Sequence, residues 1–395
     1  MLKTVGIVAE YNPFHTGHQY QLDYLAQKGY KSIAVALSGS CVQRGQLCLL
    51  SKFERAKLAL TCGVSLVCEI PAPYSMLSAE GFARAGMSIL KNLGVSAVSF
   101  GSECGDLALL TQLAQYLLSE EYASSLKLFL QDNIPFAAAR QKAILQRFAI
   151  NDSVLCASND ILAIEYIKEC LRLDWRPDFI LVKRRGALYN DPIPKGGFAS
   201  AGYIRKCVAD FRFDEAESFV PENIKPQFRK QLETANYFIP DQSFNRALFF
   251  NLCQKSADDF ACLPDCNTEL SFAFEKAVLR SSTIEQLMEN LPTKQYTRSR
   301  LCRIMLFSLL GISHDYPSDV PYIRILAMNS LGEEIVKNAK GSQLPISHSY
   351  RTLSALSTEC KAVIRTESLA TDTHSIFCKF SSDLGKDYTT RIFKL

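Results

Sequence analysis

Long apolar runs are missing from this sequence of 395 residues. No apolar run reaches the roughly 18 to 20 residues that a membrane-spanning helix needs. Residues 1–10 lack the charged segment and apolar stretch of a signal peptide. We therefore expect a cytoplasmic protein with no membrane partner. Repeats, low-complexity tracts and long linkers are also missing, and the length predicts two or three packed domains.

A strong charge excess is missing as well. The chain has 44 Lys and Arg against 40 Asp and Glu, and the net charge of +4 is too small to indicate a nucleic-acid partner by itself. The fourteen cysteines are scattered along a chain that is large enough not to need disulfides, so we expect reduced thiols. The closest-spaced pair, Cys262 and Cys266, has no matching Cys or His pair beside it. A zinc site is therefore the weaker interpretation, and we predict no metal site.

The periodicity of the first two hundred residues is typical of alternating strands and helices. Strands are predicted at 5–10, 33–37, 66–68, 97–100 and 179–183, and helices at 19–26, 53–62, 79–93, 107–118 and 161–171. This order predicts an α/β fold with a doubly wound, Rossmann-like parallel sheet and a ligand crevice at the carboxyl ends of the strands. We expect three units: this domain (1–207), a mostly helical domain (208–318) with helices near 242–252, 268–279 and 299–310, and a small α+β region (319–395).

Histidine is scarce, yet two of the five histidines lie within four residues, directly after the first strand. In the segment ending His15-Thr16-Gly17-His18, Pro13 should keep Asn12 extended, and Gly17 should let a phosphate approach the backbone. The following helix would open with unpaired amides, which form an anion site. His15 and His18 could donate hydrogen bonds to phosphate oxygens as an α-phosphorus is attacked. A His-x2-His metal pair and two solvated histidines are the less favoured alternatives.

His15-Thr16-Gly17-His18 resembles the His-x-Gly-His signature of the HIGH-type nucleotidyltransferases. The wider segment 9–18 closely resembles one family, the tRNA(Met) cytidine acetate ligases. Further segments match that family in order: Ser38-Gly39-Ser40-Cys41-Val42-Gln43-Arg44-Gly45, Ser78-Ala79-Glu80-Gly81-Phe82-Ala83, Phe100-Gly101-Ser102-Glu103, Ser158-Asn159-Asp160-Ile161-Leu162 and Lys183-Arg184-Arg185-Gly186. The strong segments span residues 1–206, and the resemblance continues more weakly through the helical half.

The resemblance implies an ATP-dependent ligase. Such enzymes activate acetate as acetyl-adenylate, with Mg²⁺ expected beside ATP, and acetylate N4 of the wobble cytidine of elongator tRNA(Met). It implies catalytic roles for His15 and His18. The implied ATP contacts are Ile7, Val8, Ala9, Glu10, Tyr11, Asn12, Pro13, Phe14, His15, Thr16, Gly17, His18, Gln19, Tyr20, Gly101, Asn159, Arg184, Arg185, Ser200 and Arg205.

Several of these residue types also suit the role on chemical grounds. Gly101 follows a predicted strand and would allow close approach to adenine or ribose, although a plain turn glycine fits there too. The Asn159 amide could read a base or ribose edge, or merely cap a helix. Arg184 could bind phosphate in a bidentate manner, and Arg185 could do the same or face solvent.

The segment 198–205 departs from the family pattern at one position. Ser200 and Arg205 match a Ser/Thr-rich turn followed by a helix that carries Ile-Arg. Gly202 stands where a hydroxyl residue is expected, which puts one hydrogen bond to the triphosphate in doubt.

A local basic cluster indicates an RNA partner. Residues 294–303 hold four positive charges and one aromatic ring: Lys294, Tyr296, Arg298, Arg300 and Arg303. These charges could neutralise tRNA phosphates, and Tyr296 could stack on a splayed base, although a solvated helix face fits equally. Arg44, Lys52 and Arg55 could extend the same basic track, or Gln43 and Arg44 could instead guard the substrate end of the pocket.

Three classes of function remain open at this point. The favoured one is the tRNA ligase. A small-metabolite adenylyltransferase is less favoured, because those enzymes generally need little more than the core fold, whereas roughly 190 residues follow it here. The third class is an inactive RNA-binding protein, which would tolerate loss of the two histidines.

Overall fold

The structure is a computed structural model that describes residues 3–131, 134, 136–150, 153–184, 197–293, 295–380 and 383–395. Its strands are β1 (Thr4–Ala9), β2 (Ser32–Ser38), β3 (Cys41–Val42), β4 (Gln46–Leu47), β5 (Leu66–Ile70), β6 (Ala97–Ser102), β7 (Asp178–Lys183), β8 (Ile323–Met328), β9 (Ile346–Ser347) and β10 (Phe393–Lys394).

The helices divide into those of the first two hundred residues and those that follow. The first group is α1 (Thr16–Gln27), α2 (Lys52–Thr61), α3 (Ala79–Asn92), α4 (Leu107–Tyr116), α5 (Glu120–Leu130), α6 (Phe136–Arg147), α7 (Ser153–Cys156) and α8 (Ser158–Arg172). The second is α9 (Ala201–Ala209), α10 (Phe213–Ser218), α11 (Lys225–Glu233), α12 (Gln242–Cys253), α13 (Ala257–Ala261), α14 (Thr268–Val278), α15 (Ile284–Asn290), α16 (Arg298–Leu309), α17 (Ser330–Asn338), α18 (Tyr350–Ser354), α19 (Thr358–Phe377) and α20 (Lys386–Thr389). Short 3₁₀ turns lie at Tyr74–Met76 and Glu222–Ile224.

The main sheet has the strand order β10-β8-β5-β2-β1-β6-β7. Strands β5, β2, β1, β6 and β7 pair in parallel, which confirms the predicted doubly wound parallel sheet. The chain runs from β1 outward through β2 to β5, and then returns to the other side of β1 with β6. The carboxyl ends of β1 and β6 therefore lie at the switch point, where open α/β sheets bind their ligands.

The two faces of the sheet are covered by different helices, and the strands alternate between them. In β1, Val5, Ile7 and Ala9 pack with α1 and α2. On the opposite face of β1, Gly6 lets α3 approach the strand closely. A Cβ at Gly6 would lie 2.8 Å from Leu90 Cδ1. Successive side chains of a strand point to opposite faces of the sheet. Because helices cover both faces, the side chains on both faces of these buried strands are apolar.

The C-terminal region adds to the same sheet. Strand β8 pairs antiparallel with β5, β10 pairs parallel with β8, and β9 also pairs with β8. Strand β8 lies in the region that was expected to form a small α+β unit, but it extends the N-terminal sheet and makes that sheet mixed. The division of the chain at 207 and 318 stays a prediction.

A buried ion cluster ties the C-terminal helices to the sheet. The Lys52 Nζ atom of α2 lies 2.5 Å from Glu69 Oε1 of β5, 3.0 Å from Glu367 Oε1 of α19 and 2.7 Å from Asp387 Oδ1 of α20. Arg324 of β8 pairs with Asp387 as well. Burial opposes the charge on Lys52, but the carboxylates of Asp387, Glu367 and Glu69 outweigh it and raise the pKa of Lys52.

All fourteen cysteines lie among the described residues and are free thiols, seven of them buried. Across the described ranges, no helix is both long and apolar enough to cross a membrane.

Candidate active site

A cavity of 460 Å³ opens at the switch point, against the carboxyl ends of β1 and β6. Its size lies within the range of small-ligand sites. The predicted contacts that line it are Ile7, Val8, Ala9, Glu10, Tyr11, Asn12, His15, Gly17, His18, Tyr20, Gly101, Asn159, Arg184 and Ser200, together with Arg303 of the basic segment.

The two imidazoles of His15 and His18 are fixed by the start of α1. The backbone amide of Gly17 donates to His15 Nδ1 at 3.0 Å, and the amide of His15 donates to His18 Nδ1 at 3.2 Å. These two bonds form a capping box, and the rings stack with their centroids 3.7 Å apart. Because each Nδ1 accepts a hydrogen bond, the neutral form of each ring carries its proton on Nε2.

Both imidazoles are neutral at physiological pH. Burial, followed by the nearby charges of Arg184 and Arg205, lowers the pKa of His15 to about 3. Burial, the neighbouring His15 and Arg184 lower the pKa of His18 well below its usual range. Two neutral imidazoles that each present an Nε2–H group are well suited to donate hydrogen bonds to phosphate oxygens without adding charge to the site.

The expectation of unpaired amides in the first turn of α1 is wrong. The Thr16 amide donates to Phe219 O at 2.9 Å, and the amides of His18 and Gln19 donate to His15 O. The role predicted for Gly17 also changes, since a Cβ there would lie 2.8 Å from His15 Cε1. Gly17 therefore makes room for the capping imidazole. An anion at this helix start would depend on imidazole donors rather than on backbone amides.

Gly101, Asn159 and Arg184 come from three different elements and meet in the cavity. A Cβ at Gly101 would lie 3.8 Å from Arg184 Cγ and 3.9 Å from Asn159 Oδ1. Gly101 lies near the carboxyl end of β6, Asn159 opens α8, and Arg184 follows β7. These residues are far apart in sequence, but they meet because parallel strands end at the same edge of the sheet.

Ser200 lines the cavity at the start of α9, where its hydroxyl accepts a hydrogen bond from the Tyr203 amide at 3.1 Å. Arg205 does not line it, and its guanidinium donates to Asn12 O at 2.6 Å. A Cβ at Gly202 would meet Ser200 Oγ at 3.8 Å, so there is room for the hydroxyl residue that the family pattern has there. Other predicted contacts that lie outside the lining are Pro13, Phe14, Thr16 and Gln19.

The basic segment reaches the mouth of the cavity. Thr297, Ser299 and Arg303 line it from the start of α16. Arg303 is 9% exposed, and its Nη2 lies 2.6 Å from Asp265 Oδ2, so its charge is already paired. The Arg300 guanidinium lies 4.8 Å from the Tyr296 ring centroid and donates to Asp265 O at 2.8 Å.

Arg298 lies beside these residues at the start of α16. It is exposed at the first residue of α16. Of the three arginines of the segment, Arg298 is exposed, Arg300 is half-buried and Arg303 has its charge paired with Asp265. Lys294, like Arg185 of the ATP set, lies outside the described residues.

The proposed extension of the basic track through Lys52 and Arg55 is wrong, because both side chains are fully buried. Arg55 donates to Glu10 O at 2.7 Å, Ser38 O at 3.0 Å and Leu50 O at 3.1 Å. It therefore ties together the carboxyl ends of β1 and β2. Arg44 does line the cavity, and its Nη2 lies 3.4 Å from Ser158 Oγ.

Glu10 is held beside these arginines. Its Oε1 accepts a hydrogen bond from the Gln43 amide at 3.0 Å. Burial raises the pKa of Glu10 even though the Gln43 amide and the charges of Arg205, Arg44 and Arg55 oppose the shift.

Several lining residues had no predicted role. They include Gln21, Ala79, Phe82, Ser99, Leu162, Tyr166, Lys183 and Phe198. Ala79, Phe82 and Leu162 lie in segments that resemble the family. The resemblance therefore pointed to these segments, but the side chains themselves gave no chemical reason to expect contact with a ligand. Tyr166 carries no motif, and only its position two turns after Asn159 on α8 could have pointed to it.

A doubly wound sheet with two neutral imidazole donors and an arginine at its switch point defines the class of HIGH-type nucleotidyltransferases. The family model described as HIGH Nucleotidyl Transferase matches residues 2–387. Two curated relatives carry the name tRNA(Met) cytidine acetate ligase. The one from Thermoanaerobacter sp. (strain X514) is 34% identical over 99% of both chains, and the one from Clostridium kluyveri (strain ATCC 8527 / DSM 555 / NBRC 12016 / NCIMB 10680 / K1) is 35% identical over 87% of this chain and 89% of its own.

Solved structures agree with these relatives. The apo crystal structure of Thermotoga maritima TmcAL has a TM-score of 0.93 and 28% identity, and covers 100% of this chain and 99% of its own. The structure of the same protein bound with alpha-thio ATP has a TM-score of 0.91 and 26% identity, with the same coverage. The chain belongs to the HIGH nucleotidyltransferase family and, within it, to the tRNA(Met) cytidine acetate ligases.

Proposed function

We propose that this chain uses ATP to activate acetate as acetyl-adenylate and then acetylates N4 of the wobble cytidine of elongator tRNA(Met). The observation that carries the proposal is the pair of Nε2–H donors of His15 and His18 at the cavity, each locked by its Nδ1 bond. The name of the curated relatives supplies the substrates acetate and tRNA(Met) cytidine. The alpha-thio ATP bound by the Thermotoga maritima protein supports ATP as the nucleotide.

The first step would form a bond between an acetate oxygen and the α-phosphorus of ATP, and break the bond to the leaving pyrophosphate. Negative charge grows on the phosphate oxygens in this step. Neutral imidazole donors stabilise that growing charge without holding the ground-state triphosphate too tightly. The guanidinium of Arg184, whose charge acts on both imidazoles, is suited to hold the phosphate chain.

The second step would transfer the acetyl group. The N4 amine of cytidine attacks the acetyl carbon, AMP leaves with the bridging oxygen, and N4 releases one proton. The target base must therefore reach the phosphate end of the cavity. Thr297 and Ser299 line the mouth, and the exposed Arg298 lies between them in sequence. These features support the entry of tRNA along the start of α16.

The residues that line the cavity are poorly suited to bind Mg²⁺ by themselves. Glu10 is the one carboxylate among the described residues that line the cavity, and three guanidinium groups act on it. The described part of the chain also contains no group of three or more His, Cys, Asp or Glu side chains that could hold a metal. These residues do not fit a protein-held Mg²⁺ site. A Mg²⁺ ion in the reaction would be held by nucleotide phosphates and water.

The proposal is tested by incubating the protein with ATP, acetate and total tRNA, and then measuring pyrophosphate and the nucleosides of the tRNA. We expect N4-acetylcytidine only when all three substrates are present, and acetate-dependent pyrophosphate release. Pyrophosphate that depends on a small metabolite instead of acetate would indicate a different adenylyltransferase. Binding of tRNA without any pyrophosphate would indicate an inactive RNA-binding protein.

A further inference from the structure

The turn after β6 and the first turn of α8 hold each other by reciprocal hydrogen bonds. The Glu103 amide donates to Asp160 Oδ1 at 3.0 Å, and the Asp160 amide donates to Glu103 Oε2 at 3.1 Å. Ser102 Oγ and the Cys104 amide also donate to the fully buried Asp160 carboxylate. The backbone on both sides of Asn159 and Gly101 is therefore fixed relative to the cavity.

The Glu103 carboxylate also fixes the side chain of Asn159. Asn159 Nδ2 donates to Glu103 Oε1 at 2.5 Å. An ionised carboxylate only accepts hydrogen bonds, so the group of Asn159 that faces Glu103 must be the NH₂. The carbonyl oxygen of the amide is then left toward the cavity, where a Cβ at Gly101 would lie 3.9 Å from it. Asn159 thus presents an acceptor, and Glu103, which does not line the cavity, determines that orientation.

The residues that share a helix face with this acceptor suit a base. Asn159, Leu162 and Tyr166 are spaced i, i+3 and i+7, so they share one face of α8, and all three line the cavity. Apolar side chains on the same face can cover the flat faces of a purine. The polar edge that an acceptor can recognise between such walls is an exocyclic amine.

We propose that Glu103 is a positioning residue that makes the site selective for a purine with a 6-amino group. It holds the Asn159 carbonyl toward the adenine N6 amine, and a 6-oxo purine would set two acceptors against each other. This inference rests on the proposed function, because it takes the nucleotide of this cavity to be ATP. It goes beyond that function because it explains how the site would distinguish ATP from 6-oxo nucleotides. That selectivity would depend on Glu103, which lies outside the cavity.

The test is isothermal titration calorimetry with ATP, inosine triphosphate and 2′-deoxy-ATP, without acetate so that no reaction follows. We expect the unaltered protein to bind ATP about 10- to 100-fold more tightly than inosine triphosphate, because the Asn159 acceptor would be covered by the bound 6-oxo base and left unpaired. In Glu103→Gln, the new amide can also donate to Asn159, which lets the Asn159 side chain turn its NH₂ toward the base. The ATP preference should fall to about 3-fold or less, with inosine triphosphate binding improved in absolute terms.

Two further variants keep this test informative. Asn159→Ala removes the amide and should also abolish the preference, even if Glu103→Gln folds poorly. Glu169→Gln changes a carboxylate on the same helix whose partners are Arg172 and Arg84, and it should leave the preference unchanged. A structural role for Glu103 would weaken both triphosphates equally and leave their ratio unchanged.

That unchanged ratio in Glu103→Gln would overturn the inference. A variant that changes the ratio of ATP to 2′-deoxy-ATP, and not that of ATP to inosine triphosphate, would also overturn it and move the contact to the ribose. Failure of the unaltered protein to bind ATP would contradict the proposed function and this inference together. ATP binding with no base preference would contradict only the inference.

Discussion

At the scale of residues, the capping box of α1 accounts for the chemistry that we assign to the two histidines. The backbone bonds to both Nδ1 atoms select the tautomer, and burial keeps each ring neutral. The His-x-Gly-His spacing predicted imidazole donors. It could not predict that the amides of the same turn are already paired, because their acceptors include Phe219 O, about two hundred residues away in sequence.

Replacement of His18 by Ala should reduce the rate of acetyl-adenylate formation by about 10²- to 10³-fold, the effect of losing one preorganised donor. ATP affinity should change much less, since the donor acts mainly on charge that develops in the transition state. Single-turnover pyrophosphate release and ATP titration measure the two quantities. His348→Ala, at an exposed histidine, is the control. A near-normal rate in His18→Ala would remove the proposed role.

The pH dependence of stability should report another buried histidine. His374 Nε2 lies 2.9 Å from Cys48 O, and burial together with Arg55 lowers the pKa of His374 to about 4 from an ordinary 6.5. Between these values the unfolded state binds more protons than the folded state. Stability from this group is therefore complete above pH 6.5 and is lost as the pH falls toward 4.

In His374→Gln, the slope of the free energy of unfolding against pH should decrease by up to about 1.4 kcal/mol per pH unit, the value of one proton. Urea denaturation at pH 7.5, 6 and 5 measures this slope. His348→Gln, at an exposed position, serves as the comparison. Equal slopes in His374→Gln and the unaltered protein would show that His374 binds protons equally in the folded and unfolded states, and so would contradict the lowered pKa.

At the scale of elements, the loop between β3 and β4 connects the cavity to α16. Gly45 has a φ of +70°, and a Cβ there would lie 2.3 Å from the Arg303 backbone nitrogen. Only glycine lets the loop approach the helix so closely. The neighbouring Gln43 amide holds Glu10 in the cavity, so the start of α16 and the end of β1 share one short segment.

Replacement of Arg298 and Arg300 together by Ala should weaken tRNA binding and reduce its salt dependence by about one to two units of slope, one for each phosphate that is no longer neutralised. Acetate-dependent pyrophosphate release without tRNA should persist, because neither side chain lines the cavity. Filter binding at several salt concentrations measures the first effect. Arg303 is left in place because it pairs with Asp265.

Arg365→Ala changes an exposed cation of α19 and is the matched control. Unaltered affinity and salt slope in the double variant would leave the start of α16 as an ordinary solvated surface.

The sequence predicted the helices and strands whose apolar residues form a clear pattern along the chain, and it missed those without one. The parallel strands β1, β2, β5, β6 and β7 lie within one or two residues of their predicted bounds. The first four are buried on both faces and therefore read as apolar runs, whereas β7 is a partly exposed edge strand. Helix α19, with twenty residues, was missed. Its buried positions include Glu367, Ser368, Thr371, Thr373 and His374, which are polar. Such residues hide an amphipathic pattern, since Glu367, Thr371 and His374 are buried against segments far away in sequence.

At the scale of the whole molecule, the C-terminal region is bound to the N-terminal sheet by strands and by charge. Glu367 of α19 accepts hydrogen bonds from the Ser40 amide at 2.8 Å and the Ala72 amide at 2.6 Å, besides its contact with Lys52. A Cβ at Gly39 would lie within 2.4 Å of this carboxylate. These contacts join segments more than 290 positions apart in the chain.

Replacement of Lys52 by Met should lower the free energy of unfolding by about 3 to 5 kcal/mol, because three buried carboxylates lose their shared cation. Equilibrium urea denaturation measures the change. Lys31→Met, at an exposed lysine, should change stability by about 0.5 kcal/mol or less. A loss as small as that in Lys52→Met would mean that the cluster does not hold the C-terminal region to the sheet.

An oxygen-isotope measurement shows whether acetate is activated on the α-phosphorus of ATP before it reaches tRNA. The protein is supplied with acetate carrying ¹⁸O at both oxygens, together with unlabelled ATP and tRNA. Mass spectrometry of AMP and of N4-acetylcytidine then locates the label. If acetyl-adenylate is the intermediate, AMP carries one ¹⁸O, from the bridging oxygen, and the acetyl carbonyl of the modified cytidine carries the other. Acetylated tRNA formed without ¹⁸O in AMP would show that the acetyl group reaches tRNA by another route.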